Sequence, residues 1–135
     1  MNSLAIEADT AKLAEVISFV NAILEENEAS VKAQTQVDIA VEEIFVNVAQ
    51  YAYAPGTGLL TMQVNMIADP KTIKIVFIDE GKEYNPLERP DPDITLSAED
   101  RQIGGLGIYM AQKFVDYMYY VYQDGHNILT IEKHI

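Results

Sequence analysis

Cysteine and tryptophan are both missing from the 135 residues. Without cysteine there is no disulfide framework and no thiolate-bound metal, a composition that fits the reducing cytoplasm where we expect this protein to work. Cations are scarce as well: nine Lys and Arg stand against 21 Asp and Glu, a formal charge of −12. No basic stripe can be drawn, so nucleic acid is excluded as a partner class; the charge favours solubility and a partner with a basic face. No apolar run approaches the roughly 18 residues of a membrane span, and Met1 to Glu7 lacks the basic-then-apolar order of a signal peptide. We therefore expect one soluble domain over 1–135, with no membrane association, burying about two-thirds of its unfolded surface. The shortage of cations also constrains any anionic ligand. A phosphate site here must lean on backbone N–H groups, a helix N-terminus and a metal ion.

What the chain does have is a strongly patterned stretch from Val37 to Gln50. Val37, Ala40, Val41, Ile44 and Val48 recur at the i, i+3, i+4, i+7 spacing of a buried helical stripe. On that helix Glu43 and Asn47 stack one turn apart on a single flank, while Glu42 points about 100° away. A carboxylate there can orient a hydroxyl or water, and a carboxamide oxygen can complete a Mg²⁺ shell made otherwise of phosphates and waters. The same pair would also suit the solvent side of an ordinary amphipathic helix.

Around this stretch the chain reads in order. Residues 2–7 form a short first strand, and Thr10 caps a helix running to about Asn27 with Leu13, Val16, Ile17, Val20, Ile23 and Leu24 on its apolar face. Its acidic end, Glu25 to Glu28, opposes the helix dipole and suggests fraying or a partner contact. The second helix begins around Thr35 and stops before the breakers Ala54 to Gly58. Two β-like runs follow, Leu59–Ile67 and Thr72–Asp79. From Glu80 to Arg101 the chain is polar and broken by Pro86, Pro90 and Pro92, as in a lid or binding loop. A third helix is expected from Ile108 to about Asp116, with Met110, Ala111, Phe114 and Val115 inward. Met118–Tyr122 and Asn127–Ile131 close the chain as a hairpin about Asp124 and Gly125. The order β-α-α-β-β-lid-α-β-β predicts an α+β, two-layer sandwich, helices on one face of a mostly antiparallel sheet.

Two further local signals stand beside Glu43 and Asn47. Asp79 ends an apolar strand and could accept a hydrogen bond from an exocyclic amine such as adenine's, with Gly81 letting a flat ring approach the backbone. Gly104, Gly105, Leu106 and Gly107 open a helix and could turn bare N–H groups toward phosphates. Neither G-x-G-x-x-G after a strand nor G-x-x-x-x-G-K-[ST] is present. His126 at a turn and His134 near the end read as structural or solvated, and make no metal ligand set.

In order, spacing and flanking residues the chain resembles the anti-sigma-factor serine kinases of the GHKL ATPase superfamily, the group with the Bergerat nucleotide-binding fold. The resemblance is densest at Val41 to Asn47, Ala52-Tyr53, Asp79 to Gly81 with Tyr84 to Pro86, Gly104 to Tyr109, and Asn127 to Thr130. It implies that Glu43 is the catalytic carboxylate and Asn47 the Mg²⁺ ligand. It implies that Asp79 reads the adenine amino group, with Gly81 and Tyr84 beside it, and that Thr130 lies near the adenine. Residues 87–103, within a stretch of about 82–104, correspond to the ATP lid. Gly105 and Gly107, with Gly104 and Leu106, cradle the phosphates, and Arg101 is the nearest cation. Tyr51 stands where many relatives have histidine, and Glu83 replaces a second glycine. The function implied is a cytoplasmic, ATP- and Mg²⁺-dependent protein serine/threonine kinase. Its expected partners are an anti-sigma-factor antagonist, a sigma factor and a second copy of itself. The alternatives are a nucleotide-dependent binding module without phosphotransfer, and a stand-alone ATPase domain of a two-component-like system.

Overall fold

A computed structural model describes residues 1–88 and 105–135. Its elements are β1 (Asn2–Glu7), α1 (Leu13–Glu26), α2 (Val31–Tyr51), β2 (Leu59–Ile67), β3 (Thr72–Asp79), α3 (Gly105–Phe114), β4 (Tyr117–Gln123) and β5 (His126–His134). The strands form one sheet in the order β1-β2-β3-β5-β4, and every neighbouring pair is antiparallel. The α+β class and the one-sided helical layer expected from the sequence are what the chain adopts, with a sheet that is wholly antiparallel.

The register sorts the strand residues into two faces. Ile73, Ile75 and Phe77 on β3 pair with Lys133, Ile131 and Leu129, and Asp79 pairs with Asn127. Because side chains alternate along a strand, Ile75, Phe77, Leu129 and Ile131 share the face that packs on Val37, Val41, Ile44 and Phe45 of α2 and Val16, Val20 and Leu24 of α1. The opposite face carries Lys74, Val76, Ile78, Ile128 and Thr130, with Tyr117, Tyr119 and Val121 of β4 beside them; those three are 59%, 46% and 47% exposed.

The helix boundaries differ from the sequence reading in instructive ways. Asp9, not Thr10, caps the entry to α1: its backbone is extended and its carboxylate accepts from Ala11 N at 2.9 Å, making Thr10–Lys12 a 3₁₀ turn. The second helix starts four residues before Thr35, at Val31, because Ser30 accepts from Ala33 N at 3.1 Å. That first turn has no apolar stripe, so the cap alone sets its start. The acidic end of α1 is closed rather than frayed. Glu28 takes a left-handed φ of 58°, Ala29 N donates to Leu24 O at 3.0 Å, and the Lys71 ammonium donates to Asn27 O, putting a cation at the negative helix end. In α3 the buried positions are Ile108 and Ala111, with Met110 and Phe114 half-buried and Val115 beyond the helix. At the β4–β5 turn Asp124 and Gly125 both have positive φ, 53° and 79°, as a two-residue hairpin requires.

Candidate functional site

The end of β3 that carries Asp79 meets the C-terminal turns of α2. Gly81 makes this junction possible: a Cβ on it would lie 2.3 Å from Ala52 O, and the next residue, Lys82, donates its N–H to that oxygen at 3.1 Å. The glycine is therefore required by backbone against backbone, whereas the sequence reading had it admitting a flat ring. Tyr53 fastens the same corner. Its hydroxyl donates to Leu59 O at 2.6 Å and accepts from Glu80 N at 2.7 Å, and burial raises its pKa above the usual phenol range.

Between α2, β3 and β5 lies a cleft of about 440 Å³, counting its open mouth. Ile44, Val48, Phe77 and Leu129 give it apolar walls, Tyr51, Tyr84 and Tyr120 add aromatic edges, and Asn47, Asp79, Lys82 and Asn127 supply polarity. An apolar slot with few polar groups at one end is the usual build of a small-molecule site. Asp79 is 6% exposed, and both hydrogen bonds it accepts end on Oδ1: from Gly81 N at 2.9 Å and from Asn127 Nδ2 at 2.9 Å. Its second oxygen receives no hydrogen bond from the described residues, and Asp79 is one of the residues lining the cleft.

A smaller cavity of about 230 Å³ adjoins it, sharing Asn47 and Tyr51 and adding Glu43, Val46, Gln50, Gly107 and Ile108. Glu43 and Asn47 are half-buried on one flank of α2, and Glu42 is exposed, as the 100° helical step requires. The Glu43 carboxylate beds against the first turns of α3: a Cβ on Gly107 would be 2.2 Å from Glu43 Oε2. Burial is the main reason its pKa rises above the ordinary glutamate value, and Glu42 adds to the rise.

The structure thus brings Glu43, Asn47, Asp79, Tyr84 and Gly107 around two cavities that share Asn47 and Tyr51. Gly81 supports them from behind, and Gly105 and Leu106 form the first turn of α3. Arg101 and Gly104 lie outside the described residues. Thr130 is the correction. It pairs with Val76 and Tyr119 on the sheet face turned away from the helices, so it cannot approach the cleft. It sits three residues from Asn127, and an odd offset along a strand reverses the side-chain direction.

Asn127 itself is the residue that sequence reasoning passed over. It is 6% exposed and faces Asp79 directly across the β3–β5 ladder. Its position in the dense Asn127 to Thr130 segment was visible; its pairing with Asp79 depends on a long-range register that no local pattern encodes. Lys82 and Tyr120 are further lining residues of this kind. His126 Nδ1 donates to Asp124 O at 2.9 Å and its Nε2 lies 3.1 Å from Glu80 Oε1, an exposed arrangement that lines neither cavity. Among the described residues no group of three or more His, Cys, Asp or Glu could hold a metal by itself, and no helix is long and apolar enough to cross a membrane.

The histidine kinase-like ATPase domain family matches residues 6–133. The chain is similar to the serine/threonine-protein kinase BtrW of Bordetella bronchiseptica, 24% identical over 105 residues that cover 78% of this chain and 73% of the relative. Its fold is similar to the histidine kinase domain of the blue-light activated histidine kinase EL346 of Erythrobacter litoralis, with TM-score 0.58 at 14% identity. That alignment takes in 93% of this chain and 60% of the other, so the chain spans less than two-thirds of that solved structure. With its family model matched over nearly its whole length, the chain belongs to the histidine kinase-like ATPase domain family.

Proposed function

We propose that this domain is an ATP-binding protein serine/threonine kinase of the anti-sigma type, phosphorylating an antagonist protein and holding a sigma factor. The observation that carries the reading is that Asp79, whose Oδ2 accepts no hydrogen bond from the described residues, and Asn47 line the same cleft, while Glu43 lines the cavity that shares Asn47 and Tyr51 with it. The cleft takes the adenine, its amino group donating to Asp79 Oδ2. The triphosphate extends past Asn47 toward Gly107 and the start of α3, where backbone N–H groups and the helix dipole favour negative charge.

The donor set fits a metal only in company with a nucleotide: Asn47 offers one neutral oxygen, and among the described residues no acidic or histidine cluster competes for a free ion. When bound with the triphosphate, Mg²⁺ supplies charge neutralisation that a chain of net −12 cannot provide from its few cations. The partner's serine oxygen then forms a bond to the γ-phosphorus as the bond to the bridging oxygen breaks. ADP leaves with that electron pair, and the serine proton passes to Glu43. Glu43 is placed to orient the hydroxyl as well as to accept its proton.

A second reading is favoured by one feature. The Glu43 carboxylate is bedded on Gly107 and burial disfavours its charged form. In that reading the domain binds nucleotide to bias partner choice and transfers no phosphate. Thermal melting with ATP, with and without Mg²⁺, tests the shared part: at about 100 times Kd, ATP adds roughly 2.7 kcal/mol of stability. Asn47→Ala should remove most of the Mg²⁺-dependent increment, roughly tenfold in affinity. Labelled-phosphate transfer to the antagonist then separates the two readings, since its absence with ATP bound leaves only the second.

The sheet face turned away from the described helices suits a second copy. Its Tyr117, Tyr119 and Val121 are exposed, and Lys74 and Glu132 are register partners whose charges cancel, so two such faces meet with little of the repulsion expected of an acidic chain. Sedimentation equilibrium giving twice the chain mass is the expected result, and a monomer at all concentrations removes this part.

A further inference from the structure

Asn127 spends its whole hydrogen-bonding capacity inside the wall of the cleft. Its Nδ2 donates to Asp79 Oδ1 at 2.9 Å and to Lys82 O at 2.9 Å, with Gly81 O a longer contact at 3.4 Å. Its Oδ1 accepts from Tyr84 N at 3.1 Å and from the Tyr120 hydroxyl at 2.5 Å. One buried carboxamide therefore ties β3, β4, β5 and the segment from Gly81 to Tyr84 into a single unit.

The consequence for Asp79 concerns which bases it can read. An unrestrained carboxylate can accept with both oxygens at once. Guanine offers it a parallel pair of donors, the ring N1–H and the exocyclic N2 amine. Adenine offers one exocyclic amine beside an unprotonated ring nitrogen, and so needs only one acceptor oxygen. In this chain Oδ1 is already taken by Gly81 N and Asn127 Nδ2. Oδ2 accepts no hydrogen bond from the described residues, and Asp79 lines the cleft. We infer that Asn127 is a positioning residue that sets base selection: by occupying Asp79 Oδ1 it holds the carboxylate as a one-oxygen acceptor, which admits adenine and denies guanine its paired contact.

This inference rests on the nucleotide-binding reading, and the experiment separates the two. Titration calorimetry with ATP and with GTP, without Mg²⁺, gives the ratio of dissociation constants for the parent protein, Asn127→Leu and Tyr120→Phe. The parent should prefer ATP by roughly tenfold or more, the scale of one hydrogen bond to a charged acceptor. Asn127→Leu should narrow that ratio at least about fivefold, through weaker ATP binding and stronger GTP binding. Tyr120→Phe removes a bond from the same carboxamide but leaves the Nδ2 contact to Asp79 intact, so its ratio should stay within about twofold of the parent's. Should Asn127→Leu fail to melt cooperatively, Asn127→Ser, whose hydroxyl is too short to reach Asp79, takes its place. An Asn127 variant that loses ATP and GTP affinity in equal measure overturns the inference while leaving the site intact. A Tyr120→Phe ratio that falls as far also overturns it, because the network would then be acting only as scaffolding. A parent that binds neither nucleotide overturns the nucleotide reading itself.

Discussion

The cleft beneath Asp79 and the smaller cavity beside Glu43 share Asn47 and Tyr51, yet the two carboxylates are kept in different ways. Asp79 is held by two hydrogen bonds to one oxygen, from a backbone N–H and a buried carboxamide. Glu43 is held by packing against Gly107, and burial pushes its pKa up. A group that must present a fixed acceptor is locked by donors; a group that must take up a proton is left desolvated and able to move. On the proposed function, the difference separates recognition at the end of β3 from chemistry on α2.

The largest expected effect breaks the chemical side alone. Glu43→Gln should lower phosphotransfer by roughly 10²–10⁴-fold while ATP affinity holds, measured by single-turnover transfer and calorimetry on the same preparation. For the parent, the raised pKa means that transfer fails on the acid side at a higher pH than an ordinary glutamate would impose, because the ionised form is the one that accepts the proton. A rate profile flat down to the ordinary glutamate range would remove the proton-acceptor role.

Next come the two glycines, which sharpen the contrast. Gly81→Ala sets a methyl against the Ala52 backbone, which cannot step aside, and should cost about 1–3 kcal/mol in urea denaturation while weakening ATP. Gly107→Ala meets the end of the flexible Glu43 side chain. It should cost less than about 1 kcal/mol of stability yet depress transfer by moving the carboxylate. Equal stability losses would mean that the Glu43 cavity is as rigid as the Asp79 cleft.

The smallest effect is a control. Asp38, also on α2, has its pKa raised, by burial first and also by Glu25 and Glu42, against a hydrogen bond from Asn21. Its Oδ1 and that of Asn21 are buried without a partner among the described residues. A carboxylate with a raised folded pKa contributes most stability below its unfolded value, near 3.8, and loses it as pH rises through the folded one. Asp38→Asn removes the charge and can supply a donor to Asn21. At neutral pH it should therefore stabilise by roughly a few tenths of a kcal/mol after solvent screening, with the gain shrinking in acid. Binding of ATP should be unaffected, since burial alone does not make Asp38 part of the site.

Much of this was readable from local pattern. Strand limits Leu59–Ile67 and Thr72–Asp79 follow from alternation, and the Glu43, Asn47 flank follows from helical periodicity with Glu42 turned out. The helix starts were misplaced where a polar cap, Asp9 or Ser30, outweighed the apolar stripe. Thr130 and Asn127 were exchanged because which β5 side chain meets Asp79 depends on how β3 and β5 align across 48 positions of sequence. Gly81 was read as admitting a flat ring, and what a side chain there would meet is the Ala52 backbone. A glycine pressed by backbone and one pressed by a ligand look alike in a string of letters.

The β2–β3 hairpin end of the sheet has a practical use. Ile135 N donates to Lys71 O there, and Asn2 stands opposite Val64, so both termini emerge toward that end. Asp79 closes the other end of β3, seven residues on from Thr72, roughly 23 Å away at about 3.3 Å per residue. A fluorophore, affinity tag or sensor-chip tether attached at either extremity would consequently stand clear of an incoming ligand, so immobilised and free protein should return the same affinity.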